Sequence, residues 1–174
     1  MLKIITTSSL IPRNGIDTLI EACGLLRLNF ELTIAGDGPQ KDQLENRAIK
    51  LGIINRVKFL GRVTPSQIPG LLKDSHLFVR PSRFEGFGNS FIEAMAAGIP
   101  VIGTAVGGIP DFLFDGKTGF IVPVDDPKAL AEKIKFVAEN DNKKIILEAK
   151  KLVRDTYDWD IIAKKVLKEM FACL

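Results

Sequence analysis

Short apolar runs rich in β-branched residues alternate along this chain with stretches of helical periodicity, and that alternation limits the fold more than any other feature. Leu2–Thr7, Glu31–Ala35, Val57–Leu60, His76–Arg80, Val101–Gly103 and Phe120–Val122 read as strands. After a turn at Asn14 and Gly15, Ile16, Leu19, Ile20, Cys23 and Leu26 recur at helical spacing. The turn Gly36-Asp37-Gly38-Pro39 opens a polar helix through Leu51, with Gly52 as its C-terminal cap. Thr64-Pro65-Ser66-Gln67 predicts a capping box and a short helix to about Lys73. Asn89 to Ala97 predicts a helix that is apolar nearly all round and therefore buried, ended by Gly98 and Pro100. Beyond Asp126 the pattern is helical, with breaks near Asn140–Asn142 and Tyr157–Asp160. Such a series predicts an α/β fold, a Rossmann-like parallel sheet with helices on both faces, and 174 residues suffice for one such domain.

Composition removes several functions. The net charge of +3 arises from 24 basic and 21 acidic residues, a near balance that sets nucleic acid aside as a partner. Cys23 and Cys173 lie near opposite ends with no framework spacing, which predicts free thiols and a cytoplasmic chain. No apolar run reaches membrane-spanning length, and the first residues read as a strand, not a signal peptide. Lys143, Lys144, Lys150, Lys151, Lys164, Lys165 and Lys168 concentrate positive charge near the C-terminus. A solvated helix face is the first reading of that run; peripheral contact with anionic lipid on the inner membrane face is the lesser one. His76, at the head of an apolar strand, reads as structural, and two distant cysteines with one histidine predict no metal site.

Open parallel sheets bind ligands beyond the carboxyl ends of their strands, where glycine turns let a ligand approach backbone amides. Four such turns follow predicted strands: Gly36–Pro39, Gly61–Val63, Glu85–Ser90 and Gly107–Pro110. The most specific stretch runs from Pro81 to Ala96, where a loop carrying Gly86 and Gly88 enters a helix. The first free amides of that helix, at Asn89, Ser90 and Phe91, form a ready site for phosphate. Glu85 and Glu93 flank it with seven residues between them, and an ionised carboxylate suits the vicinal hydroxyls of a ribose or hexose. Two bland alternatives stay open at this point. Ser90 to Glu93 is also a serviceable capping box, and Glu85 could be a solvated loop residue. Phe84 and Phe87 read as packing residues, not stacking platforms.

The segment Glu85-Gly-Phe-Gly-Asn-Ser-Phe-Ile-Glu93-Ala-Met-Ala resembles the paired-glutamate signature of the group-1 (family 4) retaining glycosyltransferases, enzymes of the two-Rossmann-domain (GT-B) type. Gly36-Asp37-Gly38-Pro39, Val57–Val63, Gly98–Val101, Gly107–Pro110, Asp115-Gly116, Thr118–Phe120 and the closing Tyr157-Asp158-Trp159 fall in the order of that family's C-terminal domain. The resemblance implies a nucleotide-diphosphate sugar donor of UDP or GDP type, no cofactor and no metal. It implies Glu93 on the ribose hydroxyls and Glu85, the candidate catalytic residue, on the transferred sugar. Phe87, Gly88 and Asn89 would meet the sugar by their amides, Ser90 the diphosphate, and Gly36 with Gly61-Arg62-Val63 the nucleotide and its base. A sugar or lipid-linked acceptor would bind to an N-terminal half that this sequence does not contain, towards which a helix near residues 158–172 is expected to pack.

Two departures qualify the resemblance. Family members carry Gly-Arg and Lys-Gly around the first turn, whose cations neutralise the diphosphate, whereas this chain reads Ser8-Ser9 and Asn14-Gly15. Arg13, Arg80 and Arg83 remain as partial compensations. The resemblance also covers only the C-terminal half of an enzyme, so the isolated chain is expected to be an excised or truncated domain with little transfer activity. A degenerate, non-catalytic module of the same fold is the alternative. A nicotinamide-dependent oxidoreductase would need Gly-x-Gly-x-x-Gly after the first strand, and that fingerprint is absent.

Overall fold

A computed structural model describes residues 1–157. Six parallel strands form one sheet in the order β3-β2-β1-β4-β5-β6. They are β1 (Leu2–Thr7), β2 (Phe30–Ala35), β3 (Val57–Gly61), β4 (Leu77–Arg80), β5 (Val101–Thr104) and β6 (Phe120–Val122). The α-helices are α1 (Ile16–Leu25), α2 (Lys41–Lys50), α3 (Ile68–Lys73), α4 (Asn89–Ala97), α5 (Pro127–Glu139) and α6 (Lys143–Thr156). Trp159, Cys173 and the expected helix near 158–172 lie outside the described residues.

Alternation along the strands sends successive side chains to opposite faces, and each face has its own core. Ile4, Leu32, Leu77, Val79 and Ile102 join α1, α2 and α5 on one face. Ile5, Phe78 and Val101 join α3, α4 and α6 on the other. In the second core the Phe91 ring meets Phe78 edge-on at 5.1 Å between centroids, and Gly103 leaves the space it fills: a Cβ there would stand 2.6 Å from Phe91. The sheet order reverses between β1 and β4, which are joined directly through Ile4 with Leu77 and Ile5 with Phe78. His76 lengthens this seam, since its amide donates to the Lys3 carbonyl at 2.8 Å and its Nδ1 accepts from the Lys3 amide at 3.1 Å. The histidine therefore works at the end of the sheet away from the glycine turns, as the structural reading predicts.

Two predicted features take a different form. The segment after Thr64 splits into a 3-10 turn at Pro65–Gln67 and α3, with Gln67 Oε1 accepting from the Thr64 amide at 2.8 Å. Helix α4 is not buried all round: Ser90, Phe91, Ala94 and Met95 are buried, whereas Glu93, Ala96 and Ala97 are exposed. Small alanines on that open side gave the sequence its uniformly apolar look.

The β4–α4 loop is fixed from its flank. The Arg83 guanidinium donates to both carboxylate oxygens of Asp17 at 2.9 Å and to Asp125 Oδ1 at 2.6 Å. The Arg83 and Phe84 amides also donate to the Arg13 carbonyl. One side chain thus ties the loop to α1 and to the turn before α5, where Asp125 adopts a φ of 55°. Burial alone would raise the Asp17 carboxyl, but the hydrogen bonds and charge of Arg83 outweigh it and hold the group below its ordinary 3.8.

Phe91→Ala should lower the unfolding free energy by about 3–5 kcal/mol, read as a lower urea midpoint at unchanged slope. Asp17, its pKa depressed by folding, contributes stability above the unfolded value that disappears as pH falls through the folded one. Asp17→Asn should therefore cost about 1 kcal/mol near neutral pH, and urea melts at descending pH should show its deficit closing below the ordinary carboxylate range.

Candidate functional site

The four glycine turns all emerge at the carboxyl edge and associate in two pairs. The Gly36 amide donates to the Gly61 carbonyl at 2.8 Å, and the Gly108 amide donates to the Gly86 carbonyl at 2.9 Å. Close backbone neighbours leave no room for a side chain at Gly36 or Gly107. A Cβ on Gly36 would stand 1.8 Å from the Ser8 carbonyl oxygen, and one on Gly107 1.7 Å from that of Glu85. The first pair, with Thr7, Ser9, Arg62, Val63 and Ile68, borders a hollow of about 480 Å³. A second, more apolar hollow of about 510 Å³ runs between α3 and the open side of α4, sharing Ile68 with the first and reaching Glu93. Gly36, Arg62, Val63 and Ser9, predicted separately from sequence, are thus brought together, and Glu93 lies along the adjoining hollow.

The start of α4 is capped differently from the Ser90–Glu93 box that the sequence offers. Its N-cap is Gly88, at a φ of 91° that favours glycine, and no side chain caps the helix. Ser90 Oγ instead accepts from Arg80 Nη1 at 2.7 Å, so the Ser90–Glu93 capping box does not form. The amides of Asn89 and Ser90 donate to no described residue. Glu93 makes no hydrogen bond or ion pair to any described residue, and partial desolvation raises its carboxyl above the ordinary range. A carboxylate in that state gains from any hydroxyl donor that reaches it.

Glu85 is not a solvated loop residue either. Its carboxylate pairs with Arg80, and the two side chains are only 13% and 12% exposed. Glu85 Oε1 also accepts from the Gly86 amide at 3.1 Å. Arg80 Nη2 further donates to Asn14 Oδ1 at 3.2 Å, while Asn14 Nδ2 donates to the Ser9 carbonyl at 2.7 Å. The two positions where cations were expected, Ser9 and Asn14, are therefore neighbours, and Asn14 is buried and fully engaged. Sequence reading missed the Arg80 cluster because nothing in the spacing of Asn14, Arg80, Glu85 and Ser90 announces that they meet.

Of the aromatic residues, Phe87 packs against Phe112 and Tyr157 with ring centroids 6.0 and 5.5 Å apart. Phe84 departs from the packing expectation and is 59% exposed. Arg83 is spent on its two aspartates, so it is not a spare cation. Cys23 is fully buried, which pushes its thiol up to about 12 and leaves it unreactive. No helix of the described residues is long and apolar enough to cross a membrane.

Comparison with known proteins agrees with this geometry. The profile of the family described as glycosyl transferases group 1 matches residues 2–165. An uncharacterised glycosyltransferase of Methanocaldococcus jannaschii is 36% identical over 168 residues, covering 94% of this chain and 43% of its own length. A GDP-mannose-dependent α-(1-6)-phosphatidylinositol monomannoside mannosyltransferase of Mycobacterium tuberculosis is 30% identical over 175 residues, covering 94% of this chain and 46% of its own. The crystal structure of Anabaena HepE in complex with UDP and glucose superposes with a TM-score of 0.91 at 27% identity, over 98% of this chain and 48% of that one. The chain spans less than half the length of these relatives. With its parallel sheet, its paired glycine turns and a family match over nearly its whole length, the chain belongs to the group 1 glycosyl transferases.

Proposed function

We propose that this chain is the donor half of a retaining hexosyltransferase of family 4, holding a UDP- or GDP-linked sugar across the β1/β4 switch point. The observation that carries the reading is the uncapped start of α4: two amides without an acceptor among the described residues, on a glycine N-cap, at the point where the strand order reverses. Anions are stabilised there by the helix dipole and by unpaired N–H groups. The base would lie in the hollow between the Gly36 and Gly61 turns, beside Arg62 and Val63. The ribose would extend along Ile68 to Glu93, and the diphosphate would meet Ser90 and the amides of α4. The sugar would sit under Phe87, Gly88 and Asn89 with Glu85 at its hydroxyls.

Transfer would then break the bond from the anomeric carbon to the diphosphate and form one to the acceptor oxygen on the same face. The leaving diphosphate oxygen would take the acceptor's proton, through an oxocarbenium-like state that dipoles at the α4 start stabilise. Glu85 would orient the sugar, and no metal or cofactor is required. The acceptor, a sugar or a lipid-linked sugar, would be held by an N-terminal half, so this chain by itself should bind donor and transfer little. A cytoplasmic location and the lesser peripheral membrane contact belong to the same proposal. The neutral pair Ser9 and Asn14 favours a second reading, a module that binds nucleotide sugar without turnover.

Calorimetric titration with UDP, GDP and ADP without metal should give saturable binding that prefers one base; a folded chain that binds none at millimolar ligand refutes the donor reading. Glu93→Ala should weaken nucleotide binding about tenfold and leave thermal stability nearly unchanged, because Glu93 supports no described contact. A fall in stability at constant affinity would instead make Glu93 structural.

A further inference from the structure

The carboxyl edge contains an enclosed cation that the assignments above leave without a task. Arg80 closes β4, on the strand at which the sheet order reverses, and its guanidinium is almost entirely enclosed. It contacts three elements at once: Asn14 in the turn after β1, Ser90 in the first turn of α4, and Glu85 in the loop between β4 and α4. These are the groups around which a donor's diphosphate and sugar would have to pass. Resting on the donor-binding reading, we propose that Arg80 is the diphosphate-binding cation of this chain, held in place by Glu85 until the donor arrives.

Charge and geometry both support this assignment. Two cations, Arg80 and Arg13, act on one another here, and the ion pair supplies one carboxylate. Burial disfavours the Arg80 cation, Glu85 partly restores it, and Arg13 opposes it again. Glu85 is the one carboxylate that pairs with Arg80 among the described residues, and a diphosphate is an anion that would take its place. Arg80 Nε is buried with no acceptor among the described residues, so the fork is not fully used. Asn14 fits the same scheme. A lysine at position 14 would put another cation against Arg80 and remove the oxygen that Arg80 Nη2 now bonds. A cation at the end of β4 is thus matched by a neutral acceptor, Asn14, in the turn after β1. On donor arrival Arg80 exchanges its Glu85 contact for diphosphate oxygens, and the freed carboxylate turns to the sugar hydroxyls. The exchange couples diphosphate capture to the presentation of Glu85.

The test compares the binding of UDP, GDP and ADP with that of their nucleosides by calorimetry on the full 174-residue chain. Arg80→Leu should lower affinity for the preferred nucleoside diphosphate at least about tenfold and leave the nucleoside unaffected. Arg80→Leu with Asn14→Lys should recover part of that loss, while Asn14→Lys alone should bring no gain. Should Arg80→Leu strand Glu85 and unfold the chain, Arg80→Leu with Glu85→Leu removes both charges and is read the same way. A folded Arg80 variant that binds the diphosphate like the parent overturns the assignment and leaves the donor reading standing. Equal loss of diphosphate and nucleoside also overturns it, as damage to the pocket at large. A parent chain that binds none of the three diphosphates overturns both.

Discussion

Parallel pairing of β1 with β4 involves just two residue pairs in register, yet everything at the carboxyl edge depends on it. Because the chain leaves β1 towards β2 and resumes at β4 on the other side, the connections after these two strands diverge to opposite faces and leave a crevice between them. The turn after β1 and the start of α4 form its two walls. Lys3 and His76 extend the seam by two further hydrogen bonds, so the lone histidine contributes to the site from the far end of the strands, by holding the walls in register.

Within that crevice the limiting factor is electrostatic. A largely enclosed guanidinium and a largely enclosed carboxylate face each other where the proposed polyanionic ligand would bind. Removing both from water is costly, and an ion pair in the interior recovers that cost only with good geometry and further hydrogen bonds. Asn14, Ser90 and the Gly86 amide provide them. The pair is thus weak evidence of a contribution to stability. Arg83 shows the contrasting case, a cation satisfied by two aspartates at the rim and available for nothing else.

Much of the fold was legible because each strand carries its apolar run and each helix its punctuation. β6 and α4 begin and end where the sequence reading put them, and β1 does too. Periodicity failed on the open side of α4, since alanine is equally at home buried or exposed, and exposure is decided by which neighbour packs there. The four glycine turns were visible, but their association into pairs was not, because it depends on carbonyls in other loops. The question of whether Glu93 caps its helix needed the φ of Gly88 and the orientation of Ser90. Arg80 was noticed as one of three arginines; its selection required contacts spanning 66 residues of sequence.

The loop carrying Glu85 and the turn at Gly107-Gly108 are in effect one mechanical part. Gly107 has no room for a carbon beyond the Glu85 carbonyl, and Gly108 is bonded to Gly86. Neither loop can shift alone without opening a hydrogen bond or colliding with the other. An engineer who transplants the segment from Glu85 to Glu93 into a sister scaffold must therefore carry the β5 turn along with it. Natural drift is restricted likewise, so the two stretches, some twenty residues apart in the chain, should tolerate change only as a unit.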